Sequence, residues 1–414
     1  MNNLKRVLSL ALTGIMLVGM MAIGASAAEF SDADKIVNAD AVDTMVALNI
    51  INGKDDGSFD PEAVVTRAEM AKMITVALNG GKDPVLGTSA TPKFSDIGGH
   101  WAQKYIEYCA NLSIINGRGD GTFDPAAPVT GTEAAKMMLV AMGYDSTVFK
   151  FTGPDWAMNV NIEASNAKPN KLYAEIENID PNQGLSRDNA AQLIFNGIQD
   201  KTMQKSPSMS ITNGEITYDY TSNGPSILTD KYGAKTVYTY LNGVTYDADK
   251  DEYKYSVSTE AFGGAEITDD ALNTDFTYGK DVSSLFGHKV KVIYKEKANK
   301  IDTVLGVFPS DSAVLVSGVV GKLPTIAGTD TSKKIEGTTF KFDGDSDDNK
   351  KDTAADVKVY EFLKDTSIGT LAATGAEKAW TYDLIDNDGN GKVDAVVVYP
   401  FTVAEVTFVN KTSI

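Results

Sequence analysis

Residues 50–61 read IINGKDDGSFDP, and residues 114–125 repeat the pattern as IINGRGDGTFDP. In each copy a threonine follows the proline by five residues and opens a stretch with helical spacing. A degraded third copy contains LSRDNAAQLIFNGI. Such repetition predicts one helix–loop–helix unit used several times, because a single unit cannot bury its apolar face alone. Repeat arrays bind extended ligands on surfaces shared between units, so a binding role is favoured over catalysis.

The start of the second helix in each unit is marked by its first residues. Thr66 with Glu69, and Thr130 with Glu133, match the capping box, in which the hydroxyl binds the N3 amide and the carboxylate returns to the cap amide. Ser186 keeps the cap in the third copy, but the glutamate is lost. Capping alone is enough to explain these hydroxyl and carboxyl groups.

Arg67 is harder to explain by structure alone. A cation in the first turn of a helix is disfavoured by the helix dipole by about 0.3–1 kcal/mol. Either a nearby carboxylate or an anionic ligand is therefore expected to compensate it. Arg187 holds the same place in the third copy, whereas the second copy has Gly131.

The N-terminus has the pattern of a secretory leader. Lys5 and Arg6 precede an apolar run over residues 7–23, and small residues follow at 25–27. This predicts a signal peptide over residues 1–27, with a membrane anchor as the alternative. Cys109 is the single cysteine and lies in an apolar helical face, so we predict a small buried hydrophobe and no disulfide.

The charge balance restricts the partners. The chain has 56 acidic and 38 basic residues, a formal net charge of -18. So acidic a protein is repelled by phosphate backbones and by anionic lipid, which argues against nucleic acid and against direct membrane binding.

Several ordered motifs resemble the S-layer homology repeat. They are FSDADKIV, IINGKDDGSFDP and VTRAEMAKM in the first copy, their counterparts in the second copy, and FTGPDWAMNV with LSRDNAAQLIFNGI in the third. The resemblance implies repeats at residues 28–90, 91–150 and 151–205, folded as an all-α three-pronged spindle. It also implies that grooves between the prongs bind a secondary cell-wall polysaccharide, commonly one with acidic pyruvate ketals.

The resemblance also implies binding residues where the motifs match. Arginine is expected to pair with a ligand carboxylate, tryptophan to support a sugar face, and the loop glycines to let backbone approach the sugar. The predicted polysaccharide-binding residues are Arg67, Asp32, Gly53, Asp96, Trp101, Gly117 and Arg187. Repeat 1 has Val37 at the tryptophan position and repeat 2 has Gly131 at the arginine position, so fewer than three competent grooves are expected, with the Arg67 groove favoured.

Beyond about residue 205 the composition changes to short alternating runs such as TVYTYL, KVKVIYK and VDAVVVYP. This alternation predicts antiparallel β-structure. We expect two all-β domains, at residues 206–309 and 310–414, which makes the protein multidomain.

One local motif in this half could hold a metal. DNDGNGKVD places Asp386, Asp388, Asn390 and Asp394 at positions 1, 3, 5 and 9 of a calcium loop, with Gly391 at the sixth. Position 12 lacks the usual glutamate, and the flanks have the pattern of strands rather than helices. Calcium and a plain hairpin rich in Asx turns both remain open.

Patterns of a catalytic site are lacking: the chain has only two histidines, 100 and 288, without metal-ligand spacing. The prediction is a non-enzymatic S-layer protein, secreted to the wall of a bacterium with a single membrane and self-associating in a two-dimensional lattice. An anchored adhesin or carbohydrate-binding protein is the first alternative, and an anchored wall hydrolase is the second.

Overall fold

The computed structural model describes residues 30–400, apart from 167–171, 177–179, 213–214, 248, 251, 259–273, 299, 311, 344–351, 363–366 and 371–379. The chain divides into two compact units, which meet in sequence between Ala234 and Lys235. The predicted leader, residues 1–27, lies outside the described residues. No helix in the described ranges has both the length and the apolar character needed to cross a membrane.

The first unit is mainly helical, as predicted. Its helices are α1 (Ala39–Ala47), α2 (Arg67–Leu78), α3 (Gln103–Asn111), α4 (Gly131–Ala141), α5 (Trp156–Asn166), α6 (Arg187–Gln199) and the short α7 (Ile227–Tyr232). The first six form three successive pairs, α1/α2, α3/α4 and α5/α6. The second helix of each pair packs on the first helix of the next pair, and α6 packs back on α1. The three pairs therefore close into a ring.

The predicted capping boxes of α2 and α4 are confirmed. The amide of Glu69 donates to Thr66 Oγ at 3.2 Å, and the amide of Thr66 donates back to the Glu69 carboxylate at 2.8 Å. Glu133 and Thr130 repeat both bonds at 3.2 and 3.1 Å. Ser186 caps α6 through the amide of Asn189 alone. These bonds satisfy backbone donors that the first helical turn leaves unpaired.

The residues just before these caps join the three pairs through backbone hydrogen bonds. The amide of Val65 donates to the carbonyl of Leu185, Leu185 donates to Val129, and Val129 donates to Val65, each at 2.9 Å. The three bonds form a closed cycle. Consequently the N-termini of α2, α4 and α6 lie beside one another.

Helix α3 buries the single cysteine, as predicted. Cys109 is fully buried and approaches Thr75 Oγ at 3.4 Å. Burial raises the pKa of its thiol to about 12.

The first unit extends beyond the predicted boundary at residue 205. It includes a hairpin of β1 (Lys201–Thr212) and β2 (Glu215–Ser226), followed by α7. The amide of Met203 in β1 donates to the carbonyl of Met142 at the end of α4, at 2.8 Å. Tyr232 of α7 packs against Gly81 beyond α2. Strand-like composition begins near residue 205, but these contacts attach the hairpin to the helices.

The second unit is built of β-sheets, which confirms the predicted all-β half. Its strands are β3 (Ala234–Asp247), β4 (Glu252–Val257), β5 (Asp275–Thr277), β6 (Lys289–Lys297), β7 (Lys300–Pro309), β8 (Ala313–Val319), β9 (Ser332–Ile335), β10 (Thr338–Lys341), β11 (Lys358–Glu361), β12 (Ser367–Thr370), β13 (Thr381–Asp386) and β14 (Ala395–Tyr399). One sheet has the order β5-β4-β3-β6-β7, another has β12-β11-β14-β13-β8, and β9 and β10 form a hairpin.

The two five-stranded sheets share a hydrophobic core. Val292 from the first sheet lies in the same buried cluster as Ile385 and Val397 from the second. The expected division into residues 206–309 and 310–414 therefore differs from the structure, which joins residues 235–414 in one compact unit. Alternating strands indicate β-structure, but they do not show which sheets will pack together.

We predict that Thr66→Ala lowers the free energy of unfolding of the helical unit by about 1 kcal/mol, because it removes the acceptor for the Glu69 amide. Urea unfolding followed by helical circular dichroism measures the loss. Thr88→Ala is the matched control, since Thr88 is exposed and outside any helix. Equal losses in both variants would contradict the capping role.

Candidate functional site

Two grooves lie near the joined ends of α2, α4 and α6. The first groove encloses about 370 Å³ and the second about 510 Å³. Each is lined by an arginine, a loop glycine, a glutamate, a lysine and a tryptophan. In the first groove these are Arg67, Gly117, Glu133, Lys136 and Trp156, joined by Arg118. In the second groove they are Arg187, Gly53, Glu69, Lys72 and Trp101, joined by Asp83.

The two grooves are assembled in the same way. The first groove takes its arginine from α2, its loop and α4 from the second pair, and its tryptophan from the first residue of α5. The second groove takes its arginine from α6, its loop and α2 from the first pair, and its tryptophan from just before α3. Each groove is thus made of all three helix pairs, and neither is complete in a single repeat.

Arg67 is almost fully buried in the first groove. Its Nε donates to the carbonyl of Phe123 at 2.9 Å, and the guanidinium lies 4.6 Å from the centre of that phenyl ring. Its Nη1 donates to Glu133 Oε1 at 2.7 Å. Arg118 Nη1 donates to the same oxygen at 3.0 Å. The sequence led us to expect that a nearby carboxylate or an anionic ligand would compensate the charge of Arg67. In the structure the Glu133 carboxylate does so.

Arg187 repeats the backbone contacts of Arg67 in the second groove. Its Nε donates to the carbonyl of Phe59 at 3.0 Å, and its guanidinium lies 5.0 Å from the centre of the Phe59 ring. Its Nη2 donates to the carbonyl of Asn52 at 3.1 Å. Burial lowers the pKa of this group below the ordinary arginine value, with Glu69 acting in the opposite direction. Among the residues that the structure describes, no carboxylate forms an ion pair with Arg187.

The tryptophans provide aromatic surfaces at the grooves. Trp101 is 55% exposed and makes an edge contact with Tyr105, with the ring centroids 6.2 Å apart. Trp156 lies under Lys136, whose Nζ is 5.1 Å from the ring centre. Burial lowers the pKa of Lys136. An exposed aromatic face beside a cation can pack against a sugar ring and bind an anionic substituent.

The predicted aspartates are used in the loops. Asp32 accepts the amides of Phe59 and Asp60, both at 2.8 Å. Asp96 accepts the corresponding amides of the second loop at 2.9 and 2.6 Å. Neither carboxylate lines a groove. Each aspartate holds its own loop closed. They thereby fix the carbonyls of Phe59 and Phe123, which accept hydrogen bonds from the groove arginines.

Packing alone accounts for the loop glycines. A Cβ on Gly53 would lie 2.4 Å from the Phe30 ring, and one on Gly117 would lie 2.5 Å from the Phe94 ring. Gly117 also has a φ of +75°, which favours glycine. Both glycines line the grooves, and their role in letting the backbone approach a sugar stays a prediction.

The place on the third helix pair that corresponds to the two grooves has different side chains. Gly131 stands where the other pairs have arginine, and Val37, 69% exposed, stands at the tryptophan position. The hydroxyl of Tyr173 donates to Asn161 Oδ1 at 2.7 Å and lies 3.4 Å from the carbonyl of Gly131. Residues 177–179 of this pair lie outside the described part. The described residues at this position lack the arginine, lysine and tryptophan of the other two.

Sequence reasoning missed Lys72, Lys136 and Trp156, and it assigned Glu133 only a capping role. The two lysines each follow a cap threonine by six residues, so their equivalence could have been read from the repeat. Trp156 lies in FTGPDW, which is shortened relative to FSDIGGHW. Aligning these two segments by their aromatic ends would have found it.

The acidic hairpin between β13 and β14 brings three predicted ligands together. Oxygen atoms of Asp386, Asp388 and Asp394 lie within 4.8 Å of one another. Asn390 Nδ2 donates to Asp388 at 2.9 Å and to Asp343 at 2.8 Å. Burial and the neighbouring carboxylates raise the pKa of Asp394 to about 7. The flanks are strands, as the sequence indicated.

The carboxylates of this hairpin also stabilise its turn. Asp386 accepts the amides of Gly389 and Gly391 at 2.8 and 2.7 Å. Asp388 accepts the amide of Asn390 at 3.1 Å. An Asx-rich turn thus accounts for part of the acidic residues without a metal.

We predict that Arg67→Ala lowers the free energy of unfolding of the helical unit by about 2 kcal/mol, because the bond to the buried Phe123 carbonyl and the ion pair with Glu133 are both lost. This loss is smaller than the loss expected for an isolated buried ion pair, because Arg118 still neutralises Glu133 after Arg67 is removed. Arg118→Ala is the control: its side chain is 36% exposed, so about 0–1 kcal/mol is expected. Equal losses in urea unfolding would contradict the buried role of Arg67.

A protein-family comparison identifies part of this architecture. The family described as the S-layer homology domain matches residues 29–71 and 93–135, which contain α1, the start of α2, α3 and the start of α4. The match thus covers parts of two of the three helix pairs.

Curated relatives share limited parts of the chain. A "Cell surface protein" of Thermoanaerobacter kivui is 32% identical over 147 residues, which is 35% of this chain and 19% of the relative. An "S-layer protein" of Bacillus thuringiensis subsp. finitimus is 29% identical over 150 residues, 36% of this chain and 18% of the relative. An "Uncharacterized cell wall amidase" of Bacillus anthracis is 31% identical over 91 residues, 22% of this chain and 16% of the relative. The chain spans less than a fifth of each.

Proposed function

We propose that this chain, which carries S-layer homology domains, is a surface protein anchored non-covalently to the bacterial cell wall by its helical unit. The ligand is a secondary cell-wall polysaccharide with acidic, carboxylate-bearing sugars, such as those with pyruvate ketals. The observation that carries the proposal is the pair of equivalent grooves, each presenting arginine, lysine and an aromatic ring in a chain whose net charge is -18. The first cleft has three cations against one carboxylate and the second has two of each, so both are less acidic than the chain as a whole and repel an anionic ligand less than the rest of the surface does.

The third helix pair is proposed to be a third, divergent repeat. Its cap, its cyclic backbone bonds and its packing on α1 support this assignment. Its groove position has neither arginine nor tryptophan, so we propose two working grooves per chain, one with Arg67 and one with Arg187. In this proposal the third repeat serves mainly to close the ring and to supply Arg187 and Trp156 to its neighbours.

The β-unit is proposed to face outward and to associate laterally in a two-dimensional lattice, as an S-layer component on a bacterium with a single membrane. The name of the Bacillus thuringiensis relative supports this proposal. An anchored adhesin or carbohydrate-binding protein would use the same helical unit, and ordered sheets from purified protein would favour the lattice over it.

An anchored wall hydrolase is the remaining alternative, because one relative is named as a cell wall amidase. His288 Nδ1 lies 2.6 Å from Ser312 Oγ, a spacing found in nucleophile–base pairs. However, the Ser312 hydroxyl donates its single proton to Asn387 Oδ1 at 2.7 Å. The imidazole must then donate to Ser312, which is opposite to the role of a general base. We propose a non-enzymatic protein.

We predict that the chain beginning at Ala28 co-sediments with purified wall sacculi and that acid stripping of the secondary polysaccharide abolishes this binding. The sacculi come from a bacterium that displays S-layer homology proteins. Equal binding to stripped and unstripped walls would overturn the proposal, because the anchor would then recognise another wall component.

Calcium binding by the acidic hairpin stays a prediction, with Asp386, Asp388, Asn390 and Asp394 as the ligands. If it binds, calcium at a hundred times its dissociation constant stabilises the β-unit by about 2.7 kcal/mol. Thermal unfolding in calcium and in EDTA measures the difference, and Asp388→Asn should abolish it. Identical transitions in both conditions would favour the plain Asx-rich hairpin.

A further inference from the structure

One edge of the β-unit is formed by an uncharged strand. β8 (Ala313–Val319) is the last strand of the sheet β12-β11-β14-β13-β8 and is hydrogen-bonded to β13 on one side. Its sequence, AVLVSGV, has no charged residue. Among the described residues, no loop or further strand hydrogen-bonds to the backbone of β8 on its other side. An edge strand leaves the N–H and C=O groups of alternate residues unpaired, so β8 offers a free row of donors and acceptors.

The conformation of β8 is fixed by packing, while its edge is open. Leu315 and Val316 pack against a hydrophobic cluster of the β-unit. Val314 is 46% exposed, and Ala313 and Ser317 are exposed as well. The strand is therefore already formed, and it can accept a partner strand without a change in the core of the β-unit.

The other edge strands of the β-unit differ from β8 in length or in charge. β5 and β12 have three and four residues. β7 carries Lys300 and Asp302, and the hairpin of β9 and β10 carries Lys333, Lys334 and Lys341. Short edges and charged edges resist pairing with another chain. Among the strands that the structure describes, β8 is therefore the edge best suited to pairing with a further strand.

The chemistry of β8 also selects its partner. In a chain with a net charge of -18, most surfaces of two copies repel each other. Two copies of β8 meet without opposed like charges, because neither strand has a charged residue. The backbone groups of two antiparallel strands match one another, so the same strand from a second copy satisfies the free edge of the first. This self-complementarity is what a two-fold contact requires.

The two ends of β8 set the direction of pairing. Ala313, at the first end, is paired with Asp386, where the acidic hairpin begins, and residues 386–394 of that hairpin contain three aspartates and one lysine. Val319, at the other end, is followed by the exposed Lys322. Parallel pairing would place two acidic hairpins side by side. Antiparallel pairing keeps them apart and brings each hairpin towards Lys322 of the other copy, which is electrostatically more favourable.

We propose that two copies of this chain pair through β8, antiparallel and about a two-fold axis, so that their two five-stranded sheets become one continuous sheet. The inference rests on the proposed lateral association of the β-unit and names one surface that makes it. A two-fold contact joins copies in pairs, so a two-dimensional lattice uses at least one further contact between pairs.

The first test measures association of the chain from Ala28 by sedimentation velocity. Val314→Lys should weaken the pairing of two copies by about tenfold or more, because the pair contains the lysine twice and each lysine adds a charge at the apolar edge. Val314→Thr is the matched control and should associate like the parent chain, since threonine is uncharged and suits a strand. Val85→Lys adds the same charge at an exposed position outside any strand and should leave association unchanged.

The second test gives a positive signal and reads the direction of pairing. Single cysteines replace the residues of β8 in turn, except Gly318, where a Cβ would lie 2.7 Å from the Tyr382 hydroxyl. The native Cys109 is buried and does not contribute. After mild oxidation, antiparallel pairing should cross-link only the cysteines near the two-fold axis, whereas parallel pairing in register would cross-link cysteines along the whole strand. Val85→Cys measures the background.

The outcomes separate pairing through β8 from lateral association in general. Association that Val314→Lys leaves unchanged, or cross-linking no greater than that of Val85→Cys, would overturn the role of β8. Cross-linking along the whole strand would overturn the two-fold arrangement. A parent chain that stays monomeric would also overturn the pairing; ordered sheets from that chain would then assign lateral association to another surface, and their absence would overturn lateral association itself.

Discussion

The helical unit depends on a cycle of three backbone hydrogen bonds. Val65, Leu185 and Val129 each donate to the next member and accept from the previous one. Buried backbone groups must find partners, and here each helix pair can satisfy its own only through another pair. The cycle places the N-termini of α2, α4 and α6 together, and with them the arginines, glutamates and lysines that line the grooves. The pair of grooves is thus a property of the closed ring rather than of any single repeat.

The features that are local in sequence could be predicted. The capping boxes at Thr66 and Thr130 involve partners three residues away, and the repeat itself shows where the helices recur. The spacing of apolar residues changes from helical to alternating along the chain, and this change predicted a helical part followed by a β-sheet part. The position of the boundary could not be predicted, because the hairpin after residue 200 joins the helices through contacts with residues near 142.

The partners of the groove residues are distant in sequence, which is why they escaped prediction. Glu133 is 66 residues from Arg67, and its capping role already explained its presence. One oxygen serves the cap and the other the ion pair, so a single side chain fulfils two requirements that a sequence pattern cannot separate. Tyr173 lies in a segment with no counterpart in the first two copies, so its contact with Gly131 could not be predicted from the repeat either. The sequence indicated from Val37 and Gly131 that the grooves would differ, but it did not predict that Glu133 would bind Arg67 while Glu69 binds the Thr66 hydroxyl.

The buried thiol in α3 has a consequence for how copies of this protein can be linked to one another. Cys109 has no exposed surface, and its raised pKa keeps it in the protonated, unreactive form. Neighbouring copies therefore cannot be cross-linked through sulfur while the ring stays closed. An alkylating reagent can react with this thiol only when the helical unit opens. The alkylation rate of Cys109 therefore reports how often the unit opens.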